Sequence, residues 1–326
     1  MKITARVMAF TSIALALTHA SFVAAQSDYS NKPLRMLIPY AVGGAVDIMG
    51  RTIAKGLTDL TGQNVIVENK GGAGGALAAM DVVRSPADGQ TLFFGATGPL
   101  AIVPFVQKSV NFDPIKDFRP VTLIATTPYV LVINNNVPAT SVSELIVLAK
   151  AKPGTLNFAS AGTGGPDHLA GELFKLSAML QMQHVPYKGS GPALADLVAG
   201  QVQLQFVSPL PAMPLIKSGR IRLLAVTSSQ RSSALPDTPT IAESGLPGYD
   251  VTPWYGFLVK VGTPDLIVQR LHDDLVTVMS IPEVKATFTK AGLDPQTGSP
   301  SEFASFIASE VKKWGKVVRD ANVQAD

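Results

Sequence analysis

The sequence predicts an α/β protein of two lobes, and three observations predict it. An apolar run, a glycine pair and a helical face follow one another from Leu34 to Leu60. The same succession recurs between Leu156 and Leu180. Around these two units, short extended runs alternate with helical spacings, the pattern of mostly parallel sheets covered by helices. Two α/β units, the second inserted into the first and joined by paired crossings, form hinged lobes. Each then presents a glycine loop and a helix N-terminus to the cleft between them.

The chain begins with a basic stretch (Lys2, Arg6), an apolar run from Val7 to Leu17, and small residues at Val23-Ala24-Ala25. Together these predict a signal peptide over 1–25 cleaved after Ala25, with Ala20 as the alternative. The run is short for a membrane span, and no later stretch reaches about 18 uninterrupted apolar residues. Removing Lys2 and Arg6 from 27 basic residues leaves 25 against 24 acidic ones, a net charge of +1. That near-neutral balance gives no basic patch for nucleic acid. The chain has no cysteine, which excludes disulfides, thiol catalysis, Cys-ligated metal and a lipidated cysteine. With 326 residues, 46% hydrophobic and only 16% charged, it has ample material for a core. These features predict an exported, unanchored periplasmic protein.

Leu34–Ile38 reads as a buried parallel strand, broken by Pro39 and Gly43-Gly44. Asp47 opens a helix whose apolar face is Met49, Ile53, Leu57 and Leu60. The loop therefore lies at the carboxyl end of a strand, where open α/β sheets bind ligands and a helix N-terminus offers unsatisfied N–H groups to an anion. Val65–Val67 is a second strand, followed by the glycine run 71–75 and a helix from Ala76 to Arg84. That run lacks the Lys-Ser/Thr of a phosphate-binding loop and is read as structural, near the cleft rim. Thr91–Phe94, Val121–Ala125 and Tyr129–Ile133 are further extended runs. Ser141 and Glu144 form a capping box for a helix to Lys152. Leu156–Ala159 is then a strand, 160–165 a glycine loop, and Leu169, Leu173, Leu176 and Leu180 one helix face. His184–Tyr187 and Val202–Phe206 read as strands around a helix at Pro192–Ala199, with Ile221–Thr227 the next strand. Residues 228–250 form a long connection, Trp254–Val259 is extended, and three helices close the chain. The last runs from Pro300 to about Arg319, with a Ser299/Glu302 capping box and a Phe303, Ile307, Val311, Trp314, Val318 stripe.

Taken in order, these residues resemble a family across essentially the whole mature chain. The matching segments are Ile38-Pro39-Tyr40 with Gly43-Gly44 and Asp47, Val67-Glu68-Asn69 with Gly72-Ala73-Gly74-Gly75, and Pro86-Ala87-Asp88-Gly89. Further matches are Asp113-Pro114 with Lys116-Asp117-Phe118, the stretch from Ala159 to His168-Leu169, and His184-Val185-Pro186-Tyr187-Lys188-Gly189. Leu224 to Ser228, Leu235-Pro236-Asp237 and Pro239-Thr240-Ile241 complete the set. The chain is similar to the substrate-binding proteins of tripartite tricarboxylate transporters, the Bordetella uptake gene (Bug, TctC-like) family.

The resemblance implies a type II periplasmic-binding fold with the ligand cleft between lobes. The implied lobes are 26–127 with the return 251–326, and 128–250. It also implies a monomer that captures a small organic carboxylate, needs no cofactor or metal, and docks on membrane transporter subunits. The first-loop ligand residues would be Tyr40, Val42, Gly43, Gly44, Ala45, Val46 and Asp47, with Thr97 at the third strand's tip. Ser160, Gly162, Thr163, Gly164 and His168 would grip from the other lobe, with Val207 and Ser208 at the cleft floor. Tyr187 is either a cleft residue or part of a surface loop, as is Lys188.

Two departures stand out. Many relatives carry Asp-Asn where this chain has Val207-Ser208, and a small or polar residue where it has Pro166-Asp167. Val207 removes a partner for an ammonium group, and with Ala45 and Val46 it favours a ligand with an apolar or aromatic body. Asp167 sits where a negative charge suits the helix dipole.

The remaining candidates read more plainly. Ser160 and His168 lack the strained G-x-S-x-G elbow of a hydrolase nucleophile. His19, His168, His184 and His272 show no metal-ligand spacing. Asp47 reads as a cap of the first helix, and Trp254 and Trp314 as core. Capture for transport leads; a ligand-loaded sensor subunit is the alternative, and a carboxylate-ester hydrolase a distant third.

Overall fold

The structure is a computed structural model and describes residues 32–324, apart from Ser233. The expected signal peptide lies outside the described residues. The described strands form two sheets, and these sheets define the lobes.

The first sheet has six strands in the order β11-β4-β10-β3-β1-β2. Its strands are β1 (Leu34–Ile38), β2 (Val65–Asn69), β3 (Thr91–Ala96), β4 (Phe118–Thr126), β10 (Trp254–Lys260) and β11 (Asp294–Pro295). β1 pairs parallel with β2 and β3, while β10 inserts antiparallel between β3 and β4. The parallel part is built from strand–helix–strand units. Its helices are α1 (Ala45–Thr61) and α2 (Ala76–Arg84). Met49, Ile53 and Leu57 of α1 are buried against Ile38, Leu92 and Phe94, as the 3.6-residue spacing requires.

The second sheet has five strands in the order β7-β6-β8-β5-β9. They are β5 (Val130–Asn134), β6 (Asn157–Ser160), β7 (Gln183–Pro186), β8 (Leu204–Val207) and β9 (Ile221–Val226). Around them pack α4 (Val142–Ala151), α5 (Pro166–Ala178), α6 (Ser190–Ala199) and α7 (Pro209–Lys217). α3 (Val103–Val106) precedes these in the first unit, continuing a π-helical turn at Gly98–Ile102. α5 lies so close to β6 that a Cβ on Gly171 would stand 2.1 Å from the Phe158 ring. A glycine is required there by contact, not by backbone angle.

Two chain crossings join the sheets, one from β4 to β5 and one from β9 to β10. They are tied to each other: the Thr127 N–H donates to Pro253 O at 2.8 Å, and the Val251 N–H to Thr227 O at 2.8 Å. The C-terminal helices α8 (Asp265–Ser280) and α9 (Pro282–Lys290) cover the first sheet. α10 (Pro300–Asp320) begins there with Phe303 and Ile307, but its far end, Trp314, Val317 and Val318, is buried in the second lobe's core. Ala101, Ile102 and Val106 join that same core.

Three local expectations are corrected. Leu180 lies beyond the end of α5, and Leu176 is half exposed, so the buried face there is Leu169, Ala170 and Phe174. The helix α7 was not expected at all. Its sequence, PLPAMPLIK, carries three prolines, of which Pro209 sits harmlessly at the first helical position while Pro214 lies inside. The turn at Gly98–Ile102 was likewise hidden by Pro99.

The ligand cleft

A cavity of about 470 Å³ lies between the lobes at the carboxyl ends of β1, β3, β6 and β8. Four helices start beside it. Val46 comes from the first turn of α1, Gly165 and Pro166 from the start of α5, Ser190 from the first residue of α6, and Ser208 caps α7. First-turn N–H groups have no intrahelical acceptor, and each helix start carries roughly half a positive charge. α7 contributes least, because Pro209 and Pro211 have no N–H.

The walls are aromatic and aliphatic: Tyr40, Tyr129, Trp254, Tyr255, Val103 and Val207. Burial pushes the Tyr40 phenol well up, pushes that of Tyr255 up to about 12, and raises that of Tyr129 well above its ordinary value, helped there by the charge of Asp167. All three are thus neutral hydroxyls at physiological pH. Thr97 also lines the cavity, and its Oγ1 accepts the backbone N–H of Trp254 at 2.8 Å, leaving its proton to offer. Among the described residues no lysine, arginine or histidine lines the cavity, and Asp167 is the charged residue of its lining.

The first loop is held by Asp47. Gly43, at φ +87°, adopts a backbone conformation suited to glycine, and its N–H donates to Asp47 Oδ2 at 2.9 Å. Arg51 Nε donates to Asp47 Oδ1 at 2.9 Å. Burial opposes ionisation of Asp47, but the bonds from Gly43, Arg51 and Asn69 prevail and hold its carboxyl below the usual range. Gly44 is the N-cap of α1 and Ala45 its first residue. Val42 projects into solvent, 70% exposed.

Internal bonds hold the second loop even more completely. Ser160 is fully buried; its Oγ donates to Gly162 O at 3.0 Å, accepts the Gly162 N–H at 3.2 Å, and lies 2.6 Å from His184 Nε2. The Gly164 N–H donates to His168 Nδ1 at 3.0 Å. His168 stacks on His184 with ring centroids 3.6 Å apart, and its Nε2 faces Glu172 at 3.6 Å. Burial, then the neighbouring His168, lowers the His184 pKa to about 4. The Ser160–His184 pair is therefore an internal brace, sealed from the cavity.

Of the residues expected from sequence, Tyr40, Val46, Thr97, Gly162, Thr163, Gly164, Val207 and Ser208 line the cavity. Asp47, Ser160 and His168 stand behind the loops and shape them. Tyr187 faces away: its hydroxyl donates to Asp196 Oδ2 at 2.8 Å. Sequence reasoning missed Tyr129, Tyr255 and Ser190 as cleft residues, and it read Trp254 as core alone. Tyr129, Trp254 and Tyr255 flank the two crossings, and a cleft between hinged lobes must run beside those crossings. That was the available signal.

A two-lobed α/β fold with a cleft ringed by helix starts defines a solute-binding protein. The model of the tripartite tricarboxylate transporter family receptor matches residues 49–323. BugT of Bordetella pertussis strain Tohama I is 33% identical over 320 residues, 98% of either chain. Among solved structures, R. palustris Rpa4515 with adipate is 34% identical with a TM-score of 0.76, covering 90% of this chain and 98% of its own. MatC (Rpa3494) from Rhodopseudomonas palustris with bound malate is 30% identical with a TM-score of 0.73, covering 88% and 99%. The chain belongs to the tripartite tricarboxylate transporter receptor family, whose structures include the periplasmic binding protein BugD.

Proposed function

We propose that this protein captures a small organic carboxylate in the periplasm and delivers it, as a monomer, to the membrane subunits of a tripartite tricarboxylate-type transporter. The observation that carries this reading is the convergence of four helix starts on a cavity with no lysine or arginine among its described lining. Such a cavity stabilises an anion through backbone dipoles and N–H groups, so no fixed positive charge must be dehydrated when it is empty. The first turn of α1 anchors the carboxylate, and Thr97 and the three tyrosines supply hydroxyl donors. Aromatic and aliphatic walls favour a ligand with an apolar or aromatic body. Two relatives with about a third of their residues identical were solved with the carboxylates adipate and malate, which supports the class of ligand. Closure brings 128–250 against 26–127 and 251–326, hinged at the paired crossings.

A thermal-shift panel of mono-, di- and aromatic carboxylates on the purified protein tests this reading. A ligand at 100 times its dissociation constant stabilises by about 2.7 kcal/mol. No shift with any carboxylate would refute it.

A further inference from the structure

The two glycine loops are not equivalent. In the first, the acidic residue Asp47 is paired with Arg51 and stands outside the cavity lining. In the second, Asp167 lines the cavity with its side chain 7% exposed, and among the described residues no lysine or arginine forms an ion pair with it. Its Oδ2 accepts the Ala161 N–H, and its Oδ1 is 2.6 Å from where a Cβ on Gly165 would stand. The carboxylate is thus folded over the start of α5, in the place an incoming anion would seek. Two further loop donors are occupied, the Gly162 N–H by Ser160 and the Gly164 N–H by His168.

We propose that Asp167 is a built-in anion on the second loop, and that it selects ligands with one carboxylate and a hydrogen-bond donor, hydroxyl or ammonium, at the opposite end. This deepens the carboxylate reading above and rests on it. The ligand's carboxylate sits on α1, the lobe that has kept its donors. Its far end meets an acceptor instead of a second anion site. A second ligand carboxylate would face the like charge of Asp167 across a partly dehydrated cleft. An ammonium group, which Val207 cannot serve, finds its counter-charge in Asp167 instead.

Burial raises the Asp167 pKa, against the opposing pull of the Ala161 and His168 N–H groups. Acidification therefore neutralises Asp167 before an exposed carboxylate and relaxes the bias against diacids. The titratable groups around it are His168 on the same helix and Tyr129 just before β5, with Tyr40 and Tyr255 across the cleft. The three phenols stay neutral throughout, and an Asp167→Asn variant keeps the histidines, so the difference between the two proteins isolates Asp167.

Calorimetry with matched pairs tests the proposal: adipate against its ω-hydroxy and ω-amino counterparts, and terephthalate against para-hydroxybenzoate. At neutral pH the hydroxy or amino acid of a pair should bind at least about tenfold tighter than the diacid. Asp167→Asn should shrink or reverse that ratio, and mild acid should shrink it in the natural protein alone. Diacids binding as tightly as their partners at neutral pH would overturn the proposal while leaving the carboxylate reading intact. So would a ratio unchanged by Asp167→Asn or by acid. Binding of no acid from either set would overturn both. The diacid-to-partner ratio of the natural protein at neutral pH tests the proposal even if the variant does not fold.

Discussion

The second loop owes its shape to a few side chains, and His184 beneath it makes that shape sensitive to acid. His184 stacks on His168 beneath the loop and meets Ser160 at 2.6 Å. Burial and His168 lower its pKa from the ordinary 6.5 to about 4. A histidine held neutral in the fold binds fewer protons than the same histidine in the unfolded chain. Stability is therefore unaffected above about pH 6.5 and declines as the pH drops from there towards 4. The melting temperature of the natural protein should fall across that window, and His184→Gln should flatten the slope. Parallel melting curves for the two proteins from neutral pH to pH 4 would contradict this.

At the scale of elements, the contact between α5 and β6 sets where the second loop points. Gly171 allows it, because a Cβ there would stand 2.1 Å from the Phe158 ring. Gly171→Ala should push α5 off the sheet, destabilise the protein by about 1–3 kcal/mol, and weaken ligand binding with it. Urea unfolding and calorimetry check the two effects; full affinity with unchanged stability would mean the contact is slack.

The sequence revealed most of these elements wherever apolar spacing was regular. α1 and α10 were legible from their apolar stripes, and the Ser299/Glu302 capping box is present as expected. The cap of α1, however, is Gly44 with Asp47 inside the helix, and Leu60 at the end of its expected face is exposed. α7 was not legible, because three prolines contradict helix and the tertiary contacts of Pro209 and Ala212 override that signal. The glycine loops were legible as loops, but not which N–H groups they leave free. That depends on Asp47, Ser160, Asp167 and His168 turning back onto their own backbone, which one-dimensional spacing cannot express.

The whole molecule is two lobes fastened by more than the two chain crossings. Trp314 is fully buried in the second lobe's core although α10 starts on the first sheet, and its indole Nε1 donates to Glu310 Oε2 at 2.9 Å. Trp314→Ala should cost about 3–5 kcal/mol and loosen the coupling between lobes. Trp254 in β10 would then be the remaining tryptophan. Its fluorescence should follow a urea transition distinct from that seen by circular dichroism. Coincident transitions at the natural midpoint would show that α10 does not couple the lobes.

The central claim is that backbone dipoles at converging helix starts recognise the carboxylate itself. Calorimetric titration of the purified protein with its tightest-binding acid and with the methyl ester of that acid tests this most directly. The ester keeps the body and loses the charge. The ester should bind at least about a hundredfold more weakly, as expected when charge-assisted hydrogen bonds are lost. Ester and acid binding within a few-fold of each other would contradict it.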